Sequence, residues 1–299
     1  MKDKENNMKR FSALCAVMLI ICLLGFSTKA FAADNYFVMN GFAFDINSDG
    51  ESVIHEYRGS SSDVVIPEKL LNGTVTAIDD YAFYGKAGVT SVSFENAAGL
   101  RYIGCCAFSG TGITGLSIPS WVEEVDFGAF QNCASLENVV LGDGVTTISM
   151  QSFYNCDSLI SVTLPQNLET IEEYAFADCE QLQYVEIPAS VTSIDQTSFE
   201  DDENLVLGVW YDSYAYHFAK DNGILFLLLD EVKLGDANGD KRIGIADVTA
   251  IQRHLAEFET LEGIYFTAAD INQDGVINIT DATLLQMYLA EYDIEYPVG

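Results

Sequence analysis

The stretch that decides the fold is residues 175–194, which read AFADCEQLQYVEIPASVTSI. It is one copy of a unit that recurs from about residue 64 to residue 207, and each copy carries a phenylalanine at the same place. These phenylalanines follow one another at intervals of 22 to 25 residues: Phe83, Phe108, Phe130, Phe153, Phe176 and Phe199. Self-similarity at this period is typical of a solenoid, in which each coil buries its apolar side chains only against its neighbours.

Each unit predicts one short strand. In the quoted copy Val185 and Ile187 alternate with polar residues shortly after Leu182, which is the pattern of a strand with one buried face. Stacking of the coils turns these strands into a parallel sheet. The predicted fold is therefore a solenoid of parallel β coils, with about six repeats of about 23 residues, followed by a small all-α domain.

Five cysteines follow the amino-terminal leader described below: Cys105, Cys106, Cys133, Cys156 and Cys179. An odd number argues against a complete set of disulfide bonds. The last three lie 23 residues apart, so we predict a column of free, buried thiols. A metal site is disfavoured because the repeat supplies no histidine or carboxylate partner of fixed geometry.

The unit AF-x-x-C-x-x-L-x-x-V-x-[LI]-P resembles the BspA-type leucine-rich repeat of bacterial surface and secreted proteins. The resemblance implies repeats over 64–207, an amino-terminal capping hairpin over 33–63 and a carboxyl-terminal cap over 208–230. Caps are required because an end coil otherwise exposes its apolar face. The last cap is expected to hold a helix around 213–222 and a strand at 224–229. The family serves mainly recognition and adhesion, so the resemblance implies binding and no catalysis.

The outward positions of the predicted strands are candidates for a ligand-binding face. They are mostly small and polar, with one aromatic side chain: Ser91, Ser93, Gly115, Ser117, Asn138, Val140, Ser161, Thr163, Tyr184 and Glu186. A sugar-binding platform would offer several aligned aromatics. The face therefore leaves the choice between a protein and a polysaccharide ligand open.

Residues 1–32 have the composition of a secretory signal peptide. Residues 1–10 are polar and basic, residues 11–26 are predominantly apolar, and residues 30–32 read AFA, which matches an A-x-A cleavage site. An uncleaved anchor is the alternative, but the apolar stretch is short for a bilayer. We expect the mature chain to be secreted and extracellular, without a membrane span.

The repeat stops near Leu234, where a second duplication begins. Residues 236–247 and 270–281 both read D-x-N-x-D-x-x-I-x-x-x-D. Oxygen ligands at positions 1, 3, 5 and 12, with a backbone carbonyl at position 7, suit a calcium ion with six to eight ligands. We predict two Ca²⁺ ions, with these candidate ligands: Asp236, Asn238, Asp240, Arg242, Asp247, Asp270, Asn272, Asp274, Val276, Asn278 and Asp281.

A helical pattern follows each loop. In the first copy Val248, Ile251 and Leu255 form the predicted core stripe of the helix. Ile243 and Ile277, at position 8 of the two loops, are expected to pin the loops together. An ordinary EF-hand has a helix before each loop and a glutamate at position 12, whereas here the preceding segments are short and aspartate closes each loop.

The tandem resembles a type I dockerin, the module that attaches cellulosomal proteins to the cohesins of a scaffoldin, over residues 234–299. The resemblance implies a calcium-dependent cohesin partner and two nearly identical contact faces, either of which can lead the docking. The positions that match dockerin residues in contact with cohesin are Ile245, Ala246, Gln252, Arg253, Glu257, Ile279, Thr280, Gln286, Met287 and Glu291.

Two departures from the dockerin pattern are informative. Lys241 stands where the turn usually has glycine, and a lysine in the left-handed region costs roughly 1–2 kcal/mol. We therefore predict that the first calcium site is the weaker one. The pairs at residues 245–246 and 279–280 replace the Ser-Thr pair of the best-known dockerins, which leaves the cohesin type open.

Residues 45–56 also match the consensus sequence of an EF-hand calcium loop at almost every position. Position 8 there is Ser52, however, and no helical pattern follows. We interpret residues 47–50 as a hairpin turn instead of a third calcium loop.

The formal net charge of −31 disfavours nucleic acid and anionic membrane surfaces as partners. The main hypothesis is a secreted, non-catalytic recognition protein of a cellulosome, active in polysaccharide catabolism through the assembly that it joins. The alternatives are a cell-surface adhesin or an inhibitor presented by the repeat, and, less favoured, a polysaccharide-degrading enzyme. No segment is left for a catalytic domain, and the three histidines have no metal or triad spacing.

Overall fold

The structure is a computed structural model that describes residues 36–202, 204–230, 233–258 and 260–292. The predicted signal peptide lies outside the described residues. The chain divides into two compact units. The described residues of the first unit lie between 36 and 182 and within Thr197–Glu203, and those of the second lie in Gln183–Gln196 and from Asn204 onward.

The described residues form short strands and four helices. The strands are β1 Phe37–Met39, β2 Phe42–Ile46, β3 Glu51–Tyr57, β4 Asp63–Val65, β5 Lys69–Leu70, β6 Gly73–Ile78, β7 Ser91–Ser93, β8 Tyr102–Ile103, β9 Gly115–Ile118, β10 Glu124–Val125, β11 Asn138–Leu141, β12 Thr147–Ile148, β13 Ser161–Thr163, β14 Thr170–Ile171, β15 Tyr184–Glu186, β16 Ser193–Ile194, β17 Val206–Val209 and β18 Leu225–Leu228. The helices are α1 Tyr214–Asn222, α2 Ile245–Leu255, α3 Gly263–Ala269 and α4 Ile279–Leu289.

The fold is the predicted parallel β-solenoid followed by a small helical domain. In the first unit β11 pairs in parallel with both β9 and β13, and Asn138 lies opposite Gly115 and Ser161. Both offsets are 23 residues, so one repeat makes one coil. Each coil also contains a second strand of two residues, such as β12 and β14, which pair in parallel through Ile148 and Ile171. The sequence analysis missed this second strand because two residues show no periodicity.

A column of stacked phenylalanines runs through the core of the first unit. Phe108, Phe130, Phe153, Phe176 and Phe199 lie with neighbouring ring centroids 5.3–5.7 Å apart and ring planes within 7° of parallel. Phe83 continues the column, 4.6 Å from Phe108. Each phenylalanine ring packs against the equivalent ring of the next coil. The repeated phenylalanines therefore fill the core and also hold the coils in register.

The repeated cysteines are free and buried, as predicted. Each thiol also lies close to the backbone carbonyl of the preceding coil: Cys133 Sγ is 3.3 Å from Phe108 O, Cys156 Sγ is 3.4 Å from Phe130 O, and Cys179 Sγ is 3.2 Å from Phe153 O. A thiol is a weak donor, so each contact adds a modest hydrogen bond between coils. Burial raises the pKa of Cys156, which keeps its thiol protonated.

A left-handed residue follows the Ala-Phe or Ser-Phe pair in each of these coils. The residue two positions after the phenylalanine has φ near +60° in the coils that follow Phe83, where it is Gly85, Gly110, Asn132, Asn155, Asp178 and Asp201. Glycine, asparagine and aspartate are the residues that enter this region at the lowest cost. The small residue before each repeated cysteine therefore marks a corner of the coil, a signal that the sequence analysis did not use.

The amino-terminal cap is a three-stranded antiparallel meander, β1–β2–β3, in place of the simple hairpin that was predicted. β3 pairs in parallel with β6 of the first coil, and the ring of Tyr57 stacks on Phe83 with centroids 5.0 Å apart. The cap thus extends the aromatic column. Residues 47–50 form the predicted turn, in which Gly50 donates to the carbonyl of Asn47.

His55 of β3 joins the meander to the first coil. Its Nδ1 lies 2.8 Å from Asp79 Oδ2 and its Nε2 lies 3.2 Å from Asp45 Oδ2, while its ring stacks on Tyr36. Burial by itself would lower the pKa of His55, but the hydrogen bonds to Asp79 and Asp45, and their charges, outweigh it and raise the pKa.

The second unit contains the end of the solenoid and the helical domain. β17 pairs in parallel with β15 and β18. Ser213 caps α1 by accepting from the backbone N–H of Tyr216 at 3.2 Å. The predicted helix at 213–222 and strand at 224–229 are therefore confirmed to within one residue at each end.

We expect Phe153→Ala to destabilise the solenoid strongly. Phe153 is buried between Phe130 and Phe176, so the change leaves a cavity and interrupts the column. The expected cost is about 3–5 kcal/mol, measured as a lower urea midpoint of the mature chain. Tyr84→Ala is the matched control, because Tyr84 is an exposed aromatic and should cost roughly 1 kcal/mol or less. Similar costs for the two variants would contradict the stacking argument.

We expect His55→Gln to destabilise the chain most at acidic pH. Folding raises the pKa of His55, so its imidazolium contributes stability that is fully present below about pH 6.5 and is lost as pH rises through the folded-state pKa. The expected cost is about 1–3 kcal/mol at pH 5.5 and smaller at pH 9, measured by urea unfolding.

His217→Gln is the control for that experiment. The side chain of His217 is half-exposed and its partner Asp212 is more exposed still, so this pair should contribute little at either pH. A cost of His55→Gln that is equal at both pH values, or that grows with pH, would refute the ion-pair explanation.

Candidate calcium and docking site

The helical domain has its own hydrophobic core, built from both copies of the duplication. Its buried members include Val248, Ile251, Ile277 and Leu285. Ile243 packs against the same cluster, in agreement with the expectation that the position-8 isoleucines join the loops. Leu255 was predicted in this core but is 38% exposed. Leu255 is the last residue of its helix, so no further turn of α2 follows to cover it.

The carboxylate at position 12 closes each loop onto the following helix. Asp247 is fully buried; its Oδ2 accepts from Gly244 N at 2.7 Å and its Oδ1 accepts from Asn238 N at 3.1 Å. Its acidic side chain also lies in the first turn of α2, where negative charge is favourable. The second loop repeats this arrangement through Asp281, with distances of 2.8 and 3.3 Å to the equivalent donors.

The carboxylate at position 1 receives backbone N–H groups from the middle of its loop. Asp236 Oδ2 accepts from Lys241 N at 2.9 Å. In the second loop Asp270 accepts from Asp274 N at 3.1 Å and from Gly275 N at 2.8 Å. The bonds from Lys241 N and Gly275 N are equivalent, whereas the bond from Asp274 N to Asp270 Oδ1 has no counterpart at Asp236, whose Oδ1 has no hydrogen-bond partner in the part of the chain that the structure describes.

Positions 3 and 5 face each other in both copies. Asn238 Oδ1 accepts from Asp240 N at 2.9 Å and its Nδ2 donates to Asp240 Oδ2 at 3.2 Å. Asn272 and Asp274 make the equivalent contacts at 3.1 and 2.9 Å. The asparagine oxygen and the aspartate carboxylate are therefore adjacent within each loop.

The first loop fits a cation on electrostatic grounds. Asp236 Oδ1 is buried and has no hydrogen-bond partner among the described residues, and an uncompensated buried carboxylate oxygen is costly. Burial, together with the charges of Asp236 and Asp240, raises the pKa of Asp247 against the hydrogen bonds that it accepts. A divalent cation among these oxygens would remove both penalties.

The side chains do not form a complete metal cage in this structure. Within the described ranges, no three His, Cys, Asp or Glu side chains cluster as they would around an ion. Part of the expected ligand set lies outside those residue types, because position 3 is an asparagine and position 7 contributes a backbone carbonyl. The ligand assignments made from sequence therefore remain predictions.

Asn278 and the backbone carbonyl of Val276, both predicted ligands, take part in hydrogen bonds within the second loop. Asn278 caps α4, because its Oδ1 accepts from Thr280 N at 2.7 Å. Its Nδ2 donates to the carbonyl of Val276 at 3.3 Å, which is one of the two predicted carbonyl ligands. The equivalent position in the first loop is Gly244, which has no side chain, so only the second loop could use position 9.

Backbone strain does not distinguish the two loops as the sequence analysis supposed. Lys241 does occupy the left-handed region, with φ of 66°, but Gln273 of the second loop also does, with φ of 56°. Each loop pairs one such residue with one left-handed glycine, Gly239 in the first and Gly275 in the second. The loops also differ in charge, since Lys241 and its neighbour Arg242 have uncharged counterparts in the second loop.

All ten residues predicted to contact cohesin are exposed. Eight lie in α2 and α4. Glu257 and Glu291 were also predicted on the helix faces, but they follow the helices, with φ of 58° and 60°. Their backbone N–H groups donate to His254 O and Tyr288 O, both at 3.0 Å, which closes the helix end.

Tyr265, on the short helix α3, contacts both the solenoid cap and the first loop. Its ring meets the ring of Tyr211 edge-on, with centroids 4.7 Å apart. The same ring lies against Gly239 of the first loop, where a β-carbon would collide with it.

The outward face of the solenoid is exposed along its strands, as predicted. Side chains of successive coils interact there, for example Ser161 Oγ, which donates to Asn138 Oδ1 at 2.7 Å. Tyr184 lies across Gly208 of the next coil. Of the ten outward positions, only Glu186 carries a carboxylate.

Comparison with known families identifies both segments. The family described as the BspA type leucine rich repeat region matches residues 76–206 in six copies, and the dockerin type I domain matches residues 234–290. The chain thus combines a BspA-type leucine-rich repeat region with a type I dockerin domain. Type I dockerin domains bind calcium and dock to cohesins, and both kinds of domain are typical of extracellular proteins.

Several solved structures are similar to part of this chain. A leucine rich cell surface protein from Faecalibacterium prausnitzii A2-165 is 26% identical, with a TM-score of 0.47, over 59% of this chain and 55% of that one. A leucine rich repeat protein of T. pallidum is 25% identical, with a TM-score of 0.41, over 58% and 72% of the two chains. No curated protein matches the sequence. None of the helices in the described ranges has the length and apolar character needed to cross a bilayer.

We predict that the first calcium site is weakened by the charge of Lys241. Lys241→Gln keeps a non-glycine residue in the left-handed position, as at Gln273, and removes only the charge. It should raise the calcium affinity of the first site by roughly two- to fivefold at low salt, measured by calorimetry. Gln273→Lys adds the same charge at the left-handed non-glycine residue of the second loop, position 4, and should weaken the second site by a similar factor. Unchanged affinities in both variants would exclude the charge explanation.

Proposed function

We propose that this chain is a secreted, non-catalytic recognition protein of a cellulosome. Its dockerin, loaded with two calcium ions in the loops at 236–247 and 270–281, binds a scaffoldin cohesin. Its repeat region binds a protein or a polysaccharide and so brings that ligand to the assembly. Residues 1–32 direct the export of the chain.

The observation that carries the docking proposal is the duplication in the helical domain. The two loops share most of their hydrogen bonds, each closes on a buried aspartate in the first turn of a helix, and each helix exposes equivalent residues. Ile245 and Ile279 are large apolar side chains with more than 60% of their surface exposed. Apolar side chains exposed at equivalent places on two helices suit a protein partner that either face can engage.

The repeat region supports binding more than catalysis. A glycosidase needs two carboxyl groups on either side of the scissile bond, and Glu186 is the only carboxylate among the ten outward positions named above. An extended parallel sheet with small polar side chains offers hydrogen-bond donors and acceptors to a ligand laid along it. Polysaccharide catabolism is then the work of the enzymes beside which this chain would be held.

The docking proposal is tested with the mature chain and a panel of immobilised type I cohesins. We expect capture by at least one cohesin in millimolar Ca²⁺ and complete release by EDTA. Asp247→Asn combined with Asp281→Asn should lose capture in the presence of Ca²⁺, because each closing carboxylate loses its charge. Leu225→Ala, an exposed change on the last solenoid strand, is the control and should bind normally.

The recognition role is tested with the same chain on cellulose, pectin and candidate protein ligands. Binding without release of reducing sugars supports a non-catalytic role. Release of sugar by the purified chain would overturn it and favour an enzyme, and calcium-independent capture by cohesins would overturn the docking mechanism.

A further inference from the structure

Each copy of the duplication ends in an exposed aromatic side chain outside the set predicted to contact cohesin. Phe258 follows α2 and is 80% exposed, and Tyr292 follows α4 and is 65% exposed. The two positions are equivalent, because both lie eleven residues after the aspartate that closes their loop, Asp247 or Asp281. One exposed aromatic residue is ordinary on a protein surface, but its recurrence at the equivalent place in both copies points to a shared role.

The backbone at both helix ends fixes where these aromatics lie. The N–H of Phe258 donates to the carbonyl of Arg253 at 3.0 Å, and the N–H of Tyr292 donates to the carbonyl of Met287 at 3.0 Å. With the bonds of Glu257 and Glu291 described above, these complete a Schellman motif at each helix end. The aromatics are therefore bonded through the backbone to two of the predicted docking residues.

The motif normally lets the following apolar residue pack on its own helix. Here that packing is largely absent, since both rings remain mostly exposed. Both motifs also hold a glutamate, in place of glycine, in the left-handed position, which costs roughly 1 kcal/mol each. Strain and exposure that occur together in both copies indicate a surface formed for a partner.

We propose that Phe258 and Tyr292 are specificity-determining contacts to cohesin, each extending the docking face of its own helix beyond Glu257 or Glu291. The inference rests on the proposed docking function. The partner of each aromatic side chain is the cohesin bound to the same helix, because Phe258 and Tyr292 directly follow Glu257 and Glu291 of the predicted docking face. Its matching surface would carry an apolar depression for the ring and a basic or hydrogen-bonding group for the adjacent glutamate carboxylate. Buried aromatics are among the side chains that contribute most to protein interfaces.

The test measures dissociation constants by calorimetry, with the mature calcium-loaded chain and the cohesin of the panel that binds it most tightly. Two backgrounds restrict docking to one face: Ile279→Asp disables the second, and Ile245→Asp disables the first. In the Ile279→Asp background we expect Phe258→Ala to weaken binding at least tenfold, with Tyr292→Ala within twofold. In the Ile245→Asp background the two effects should be exchanged.

Controls separate a contact from a loss of folding. Phe258→Tyr should retain most of the affinity, and Leu225→Ala should leave it unchanged in both backgrounds. Each variant should keep its calcium stoichiometry and thermal midpoint, as expected for such exposed side chains. If the wild-type chain binds no cohesin, the proposed docking function fails and this inference falls with it. If the wild type binds but the aromatic substitutions stay within twofold in the background that uses their face, only this inference is overturned.

Discussion

Stacking of like residues on like residues is the interaction on which the solenoid depends. A coil of this size cannot enclose its own apolar side chains, so each phenylalanine of the first unit is covered by the equivalent ring of the adjacent coil. The 23-residue offset of the strand pairs β9–β11–β13 keeps those rings in register. The other repeated features act on the backbone around the phenylalanine column. The thiols contact carbonyl groups of the preceding coil, and the left-handed residues form the corners of each coil.

The helical domain uses duplication in a different way. Its two copies pack on each other around a shared core, and in each copy the residues predicted to contact cohesin are exposed. The aspartates that close the loops serve two purposes, because they accept backbone N–H groups at the start of a helix and supply negative charge to the loop. In the first loop these charges crowd together and leave a buried oxygen of Asp236 without a hydrogen bond. Such an arrangement gains stability when a cation is present.

The sequence could predict most of the architecture because repetition amplifies weak signals. The period, the buried Val185 and Ile187, the free thiols and the cap around α1 were all confirmed. The second strand of each coil could not be predicted, since two residues carry no pattern. Leu255 was misplaced because an ideal helical stripe takes no account of where the helix ends. The left-handed backbone of Gln273 could not be predicted, because the sequence marks such positions mainly by glycine. Its presence means that backbone strain is similar in the two predicted calcium loops.

The buried thiols have a consequence for how this protein ages in an oxidising medium. Cys133, Cys156 and Cys179 belong to successive coils, and in the closed solenoid oxidants cannot reach them. Separation of two coils would uncover thiols that belong to different repeats. Once oxidised or joined to each other, they could no longer return to their places beside the carbonyls of Phe108, Phe130 and Phe153. A brief opening would then become permanent damage, so the working lifetime of the protein outside a cell would be governed by how seldom its coils part.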